Sequence, residues 1–172
     1  EESLASEALS AVPAARAVLV GGLGLGFTLR AVLDRVPAAA RVTVCELLPE
    51  LVEWNRTHLA ALHGGALADS RCEIVVDDVL RALEQEHARF DVILLDVDNG
   101  PVALTQGDNR LLYAERGVRA CLSSLAPGGV LAVWSAGPSA EYERRLRSAG
   151  FTVEARRGAA RRGAGAQHVM VL

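Results

Sequence analysis

The fold of this chain is decided by residues 17–46, whose sequence is AVLVGGLGLGFTLRAVLDRVPAAARVTVCE. The apolar run at 18–20 predicts a buried parallel strand, and it leads directly into a glycine-rich turn at 21–26. A helical pattern begins near Phe27, and a second, β-branched run ends at the acidic residue Glu46. This order of strand, glycine turn, helix, strand and carboxylate is typical of nucleotide sites in α/β folds.

The composition is that of a folded globular protein, with 51% hydrophobic and 23% charged residues among 172. A net charge of −3 provides no bulk attraction to nucleic acid or to an anionic membrane, so neither is expected as a partner. No apolar stretch approaches the roughly 18 residues that a membrane span requires. Cys45, Cys72 and Cys121 are widely separated, which predicts reduced thiols and a cytoplasmic location. The four histidines show no metal-ligand spacing, so no metal is expected.

Short apolar segments alternate with helical patterns along most of the chain. After a short helix at 3–11, the predicted strands are 17–21, 42–46, 72–76, 91–96 and 129–134. The predicted helices between and after them are 26–35, 49–62, 78–87 and 110–125. Continuously apolar strands are typical of a sheet that is covered on both faces. The alternation predicts right-handed crossovers and an α/β, doubly wound, mostly parallel, Rossmann-like sheet within a single domain, residues 1–172.

The last third of the chain departs from this alternation. A helix at 139–149 leads to a strand at 151–155, a glycine- and arginine-rich link, and a final strand at 167–172. Two strands joined by a short link predict a hairpin, so an antiparallel C-terminal strand is expected beside the parallel sheet.

Residues that follow the strands of an open α/β sheet lie where ligands bind. Here these positions carry the turn glycines after the first strand and an acid or an acidic pair after the next three, namely Glu46, Asp77 with Asp78, and Asp96 followed by Asp98. The glycines fall as G-x-G-x-G at 22, 24 and 26, and no P-loop lysine is present. The acids would repel a phosphate but suit ribose hydroxyls and an adenine amine. The pattern therefore favours a nucleoside that carries a cationic tail, such as a sulfonium.

Five segments carry a family resemblance: VGGLGLG, FTLRAVL, FDVILLD at 90–96, NRLLY at 109–113 and LAPGGVLAVWS. Together they resemble the S-adenosylmethionine-dependent transferases of the class I methyltransferase fold, and within them the spermidine synthase branch. The resemblance implies S-adenosylmethionine or its decarboxylated form as cofactor. It also implies a small-molecule amine as acceptor and either methyl or aminopropyl transfer as the reaction.

The resemblance assigns roles to individual residues. The turn glycines Gly21, Gly22, Gly24 and Gly26 would contact the cofactor, with the last three along its amino-acid tail. Glu46 would bind the ribose hydroxyls, and Asp78 would face the adenine amine with Asp77 beside it. Asp96 would contact the cofactor and accept a hydrogen bond from the attacking amine. Asn99 and Tyr113 would bind the acceptor substrate.

Three residues depart from the spermidine synthase pattern. That family has an aspartate in the glycine turn, where this chain has Gly24, and a second aspartate three residues beyond the first, where this chain has Asn99. A proline usually follows, at the position of Gly100. In addition, the N-terminal β-domain of spermidine synthases does not fall within these 172 residues. The cofactor class is therefore better supported than the reaction.

The nucleophilic amine must arrive uncharged, so a nearby carboxylate is expected to orient it and to take its proton. Asp96 and Asp98 are the candidate catalytic residues, and they would point in opposite directions if they continue an extended strand. We favour Asp96 as the carboxylate that faces the site.

Other interpretations remain open for several of these features. Glu46 could cap the following helix, and Asp77 could simply be an acid at a helix N-terminus. Trp54 is expected to serve in core or interface packing, and the histidines are assigned no role. The arginines at 156–162 could contact RNA phosphates, which would make the chain an RNA methyltransferase. A non-catalytic protein that binds an adenosyl ligand, and a homodimer, also stay open.

Overall fold

The computed structural model describes residues 2–97, 100–103, 108–157 and 167–171, and it contains a seven-stranded sheet. The strand order is β3-β2-β1-β4-β5-β7-β6. The first five strands are parallel, whereas β7 runs antiparallel to both of its neighbours. The predicted doubly wound Rossmann-like sheet with an antiparallel C-terminal strand is therefore confirmed.

The elements follow the expected alternation. The strands are β1 Ala17–Gly21, β2 Arg41–Glu46, β3 Cys72–Val76, β4 Phe90–Leu95, β5 Leu125–Ser135, β6 Val153–Arg157 and β7 Gln167–Val171. The α-helices are α1 Glu2–Ala11, α2 Phe27–Leu33, α3 Pro49–Arg56, α4 Val79–Glu84, α5 Glu115–Ser124 and α6 Ala140–Ala149. Short 3-10 turns lie at Ala66–Ala68, Gly100–Ala103 and Asp108–Arg110.

Two apolar cores lie on the two faces of the sheet, because alternate strand residues point to opposite sides. In β1, Val18 and Val20 pack into one core with residues of α1, α2 and α3. Leu19 points the other way and packs into a core that α4, α5 and α6 cover. Burial on both faces explains the apolar character of the central strands β1 and β4.

The helix predicted at 49–62 is wrong in its second half, because α3 ends at Arg56. From Thr57 the chain leaves the helical path, and Gly64 and Gly65 adopt φ angles of 60° and 71°, which favour glycine. This detour brings His63 into the interior, where it is only 1% exposed. Burial of that ring, and not helical periodicity, determines the path of residues 57–65.

The helix predicted at 110–125 begins later, at Glu115. The preceding residues turn inward, so that Leu112 and Tyr113 are buried. Their backbone crosses the first turn of α5 so closely that a Cβ on Gly117 would lie 1.9 Å from the Leu112 carbonyl oxygen. A helix through residues 110–114 is incompatible with this contact.

The arginine-rich link at 158–166 lies outside the described residues, as do the side chains of Arg156 and Arg157. The alternative that these arginines contact RNA phosphates is therefore not tested by the described residues. Within the described ranges, no helix has both the length and the apolar character needed to span a bilayer.

Candidate functional site

A cavity of ≈ 250 Å³ opens where the strand order reverses between β1 and β4. This switch point, at the carboxyl ends of the strands, is where open α/β sheets bind ligands. The lining residues come from the glycine turn and from the segments after β2, β3 and β4, and they include Gly22, Gly24, Glu46, Asp77, Asp78 and Asp96. Six of the predicted site residues therefore lie together around one cavity.

The turn glycines serve different purposes. Gly22 has a φ of 90°, and a Cβ there would lie 2.6 Å from the Asp96 carbonyl oxygen, so glycine permits β1 and β4 to approach each other. Gly24 has a φ of 51°, and no described atom lies within 4 Å of where its Cβ would be. Gly26 packs against the His63 ring, and Gly21 is buried against Val79. Gly21 and Gly26 are not among the lining residues, so they shape the turn from behind.

Glu46 is held in place by backbone N–H groups on two sides. Its Oε2 accepts a hydrogen bond from Leu23 N–H in the glycine turn at 2.9 Å, and its Oε1 accepts one from Leu48 N–H at 3.0 Å. Leu48 is the N-cap residue of α3, so Glu46 contacts the residue at the start of that helix but, within the described residues, accepts no hydrogen bond from the N–H groups of its first turn. Each oxygen retains a further lone pair, so the carboxylate can still accept hydrogen bonds from a ligand.

Asp77 and Asp78 follow β3 and both line the cavity. Asp78 is the N-cap of α4, and its Oδ1 accepts a hydrogen bond from Arg81 N–H at 3.1 Å. Asp77 accepts from Asp78 N–H at 2.8 Å and lies 3.7 Å from the Arg81 guanidinium. The helix-terminal role that the sequence left open for Asp77 therefore belongs mainly to Asp78.

Asp96 comes directly after β4, and its carboxylate is fixed by a residue from another element. Thr28 of α2 donates from Oγ1 to Asp96 Oδ2 at 2.6 Å, and Thr28 is itself buried. Across the described ranges, no donor reaches Oδ1 of Asp96. A carboxylate that lines a cavity and is fixed through one of its oxygens can orient an amine and accept its proton.

The electrostatic character of the cavity is strongly negative. Four carboxylates line it, and no lining residue in the described part of the chain carries positive charge. The pKa of the Cys45 thiol, also in the lining, is raised from 9.0 to about 12, chiefly by burial and also by the nearby carboxylates of Asp77, Asp78 and Glu46. The thiol thus stays protonated at neutral pH, where it cannot act as a nucleophile against a bound sulfonium. The cavity therefore suits a cationic ligand.

The described residues do not contain three His, Cys, Asp or Glu side chains grouped as a metal site requires. The chemistry of the cavity lining instead fits an adenosyl sulfonium. Carboxylates are available for hydroxyl and amine donors, Leu47, Leu48 and Leu51 provide apolar lining, and open space lies beside Gly24.

The structure describes one of the three residues predicted on the acceptor side, Tyr113, whereas Asp98 and Asn99 lie outside the described residues. Tyr113 is only 1% exposed and does not line the cavity; its hydroxyl donates to the Val97 carbonyl at 3.1 Å. Its ring therefore supports the segment that follows Asp96. Asn109, from the 3-10 turn before α5, does line the cavity.

Gly100, a departure from the family pattern, has a structural reason. Its φ is 63°, and a Cβ there would lie 2.3 Å from the Trp134 carbonyl oxygen. Proline, whose φ is fixed near −65°, cannot adopt this conformation. The chain after β4 therefore follows a path that excludes proline at this position.

Sequence reasoning missed two buried polar residues next to the glycine turn, Asn55 and His63. Asn55 Nδ2 donates to the Gly24 carbonyl at 2.9 Å, and His63 packs beneath Gly26. No spacing signal identifies either residue, because both contacts depend on the tertiary path after α3. Of the two roles expected for Trp54, core packing is wrong because this side chain is 55% exposed, and interface packing stays a prediction.

A family model described as "Spermine/spermidine synthase domain" matches residues 1–147. Among curated proteins, polyamine aminopropyltransferase 2 of Pseudomonas aeruginosa is 38% identical over 136 residues, which are 77% of this chain and 37% of that protein. Polyamine aminopropyltransferase 2 of Hyperthermus butylicus is 35% identical over 142 residues, 80% of this chain and 44% of that protein. The chain thus spans less than half the length of these two relatives.

Among solved structures, a spermidine synthase in complex with the transition state analogue AdoDATO superimposes with a TM-score of 0.84. The match covers 99% of this chain and 59% of the other, at 24% sequence identity. At that identity the likeness establishes the fold.

Proposed function

Because this chain belongs to the spermine/spermidine synthase family, we propose that it binds decarboxylated S-adenosylmethionine and transfers the aminopropyl group to a small amine. The observation that carries the proposal is the charge of the cavity, whose lining contains four carboxylates and, among the described residues, no cation. Decarboxylated S-adenosylmethionine carries a sulfonium and an ammonium group with no carboxylate. A ligand of this charge is favoured over S-adenosylmethionine, whose own carboxylate would enter a cavity that already contains four like charges.

We assign different lining residues to the ribose, the adenine and the tail of the cofactor. Glu46, fixed by two backbone donors, accepts hydrogen bonds from the ribose hydroxyls. Asp78 faces the adenine amine, with Asp77 beside it, and Gly22 and Gly24 flank the tail. Buried carboxylates need partners of opposite charge or several hydrogen bonds, and a dicationic ligand provides both.

For the reaction, the bound sulfonium supplies a carbon–sulfur bond that is already activated, so the chain need only align the acceptor and accept a proton. Asp96 orients the incoming amine through Oδ1, the oxygen that Thr28 does not contact. As the amine nitrogen forms its bond to the aminopropyl carbon, Asp96 takes the proton from that nitrogen. The electrons of the broken bond remain on sulfur, which leaves as the neutral thioether methylthioadenosine. Asp98, Asn99 and Tyr113 remain candidates on the acceptor side.

Methyl transfer from S-adenosylmethionine is the second candidate, and Gly24 favours it. This position provides no carboxylate for the cofactor's terminal amine, and the space beside it is open. Gly24 and the four cavity acids thus favour different ligands, and affinity measurements can decide between them.

Calorimetry with decarboxylated S-adenosylmethionine, S-adenosylmethionine and methylthioadenosine tests the proposal. We expect the decarboxylated form to bind most tightly, and Glu46→Gln to weaken all three ligands because it alters the ribose contact. Tighter binding of S-adenosylmethionine would favour methyl transfer. If none of the three ligands binds, the cofactor assignment fails.

The remaining proposals concern the cellular location, the domain organisation and the oligomeric state. Free thiols at Cys45, Cys72 and Cys121 support a cytoplasmic location, where thiols stay reduced. We further propose that residues 1–172 act as one cofactor-binding unit with a small-molecule partner, not a nucleic acid. Whether that unit pairs as a homodimer can be measured by light scattering.

A further inference from the structure

Asn55 connects helix α3 to the glycine turn from behind the cavity. The side chain is fully buried, and its Nδ2 donates to the carbonyl of Gly24 and to that of Leu51, each at 2.9 Å. Gly24 lines the cavity, whereas Asn55 is not among the lining residues. A residue with no described contact to the ligand space therefore holds the backbone of a residue that borders it.

His63 also supports the glycine turn, and its hydrogen bonds define the tautomer of its ring. Its Nδ1 accepts a hydrogen bond from Ala66 N–H at 3.0 Å, so in the neutral ring the proton is on Nε2. That nitrogen lies 3.2 Å from the Asn55 carbonyl oxygen, to which it donates. The ring also lies directly under the turn, because a Cβ on Gly26 would be 2.7 Å from His63 Cδ2. His63 thus links the end of α3 to the C-terminal end of the glycine turn.

From these contacts we infer that Asn55 and His63 are positioning residues for the cofactor turn, an inference that rests on the proposed function. The held carbonyl belongs to the peptide between Gly24 and Leu25. Because a trans peptide is planar, fixing that carbonyl also fixes the Leu25 N–H, which points the opposite way. Asn55 thereby sets the dipole of the peptide that borders the cofactor's tail, and His63 holds Asn55 in register.

The chemistry of Asn55 makes the inference testable. Both of its recorded hydrogen bonds come from the amide nitrogen, and Oδ1 has no hydrogen-bond partner among the described residues. Asn55→Asp retains the shape but replaces the donor with an acceptor that faces two carbonyl oxygens. This substitution therefore reverses the interaction with Gly24 without changing the volume of the side chain.

Ser124→Ala provides a matched control. Ser124 is also fully buried, and its Oγ lies 2.7 Å from the carbonyl oxygens of both Leu83 and Ala120, to either of which its one hydroxyl proton can be donated, on the opposite face of the sheet. Asn55→Asp and Ser124→Ala each remove buried contacts to two backbone carbonyls and are expected to lower thermal stability. Only the first acts on the glycine turn.

The readout is the affinity for two ligands, decarboxylated S-adenosylmethionine and methylthioadenosine, which lacks the aminopropyl tail. We expect Asn55→Asp to weaken the tailed ligand about tenfold and the tailless ligand less, as the loss of a buried hydrogen bond predicts. Ser124→Ala should leave both affinities unchanged. If Asn55→Asp does not fold, His63→Gln, which keeps a donor toward Asn55 but removes the ring under Gly26, should show the same selective loss.

Two outcomes would overturn the inference, and they differ in meaning. Equal weakening of both ligands, or no change in either, would show that Asn55 contributes only to stability, while the proposed function would stand. Failure of the unaltered chain to bind either ligand would instead overturn the proposed function and this inference with it.

Discussion

Thr28 and Asp96 are 68 residues apart in the chain, yet Thr28 Oγ1 lies 2.6 Å from Asp96 Oδ2. Thr28 belongs to the helix that follows the glycine turn, and Asp96 follows the neighbouring strand β4. The contact therefore joins the helix after the glycine turn to the segment after β4. It holds one oxygen of the carboxylate that we propose to accept the amine proton.

Thr28→Val removes the hydroxyl while it preserves the shape of the side chain. We expect turnover to fall by roughly 10- to 150-fold, because a hydrogen bond to a charged group contributes about 1.5–3 kcal/mol. Thr28→Ser, which keeps the hydroxyl, should recover most of the activity. Steady-state kinetics on the three forms measure this, and equal loss in both variants would argue against a role for the hydroxyl.

Asp96→Asn removes the proton acceptor from the site. We expect turnover to fall by about 10²–10⁴-fold, the usual contribution of a general base, with adenosyl binding largely retained. Asp91→Asn is the matched control, because Asp91 lies on β4, which Asp96 directly follows, but accepts backbone hydrogen bonds from Arg16 and Ala17. That variant should lose stability and keep its activity once folded. Normal turnover in Asp96→Asn would eliminate Asp96 as the base.

Gly24 offers a direct test of charge at the cofactor tail. Its φ of 51° is one that Asp and Asn tolerate better than most residues, and no described atom would meet a Cβ there. Gly24→Asp should raise the preference for decarboxylated S-adenosylmethionine over S-adenosylmethionine by about tenfold, the effect of roughly 1.4 kcal/mol. Gly24→Asn, which is similar in shape but neutral, should not. If both variants change the preference equally, shape rather than charge is responsible.

Alkaline pH should destabilise the fold through its buried thiols. Burial raises the pKa of Cys121 from 9.0 to about 12, so above pH 9 the unfolded chain releases this proton before the folded chain does. The unfolded state then binds fewer protons, and the free energy of unfolding falls as pH rises from about 9 towards 12, by up to about 1.4 kcal/mol per pH unit. Urea denaturation of the native chain and of Cys121→Ala at pH 8 and pH 10 measures this. A slope that does not become shallower in the variant would contradict the assignment.

Much of the fold follows from local apolar runs. The run at 17–21 matches β1 at both ends, because a central strand that is covered on both faces is apolar throughout. The run at 72–76 also matches β3 at both ends, although β3 is an edge strand in which Glu73 and Val76 are exposed. The position of the acids follows as well, since parallel topology brings the residues after β2, β3 and β4 to one edge. Glu46, Asp78 and Asp96 could therefore be predicted from the order of the elements.

The support behind the site could not be predicted in the same way. Asn55 looks like an ordinary polar residue of an amphipathic helix, and His63 has no partner at a recognisable spacing. Their roles arise only because the chain leaves the helix at Thr57 and folds back beneath Gly26. Such contacts depend on tertiary packing, which neither periodicity nor a motif records.

The most direct test of the account is a competition between the two cofactors. The chain is incubated with equal concentrations of S-adenosylmethionine and its decarboxylated form, together with an unbranched aliphatic diamine such as diaminobutane, and the products are identified by mass spectrometry. The charge of the cavity predicts methylthioadenosine and an aminopropylated amine. Formation of S-adenosylhomocysteine and a methylated amine would contradict the account. So would a reaction that yields neither an aminopropylated nor a methylated amine.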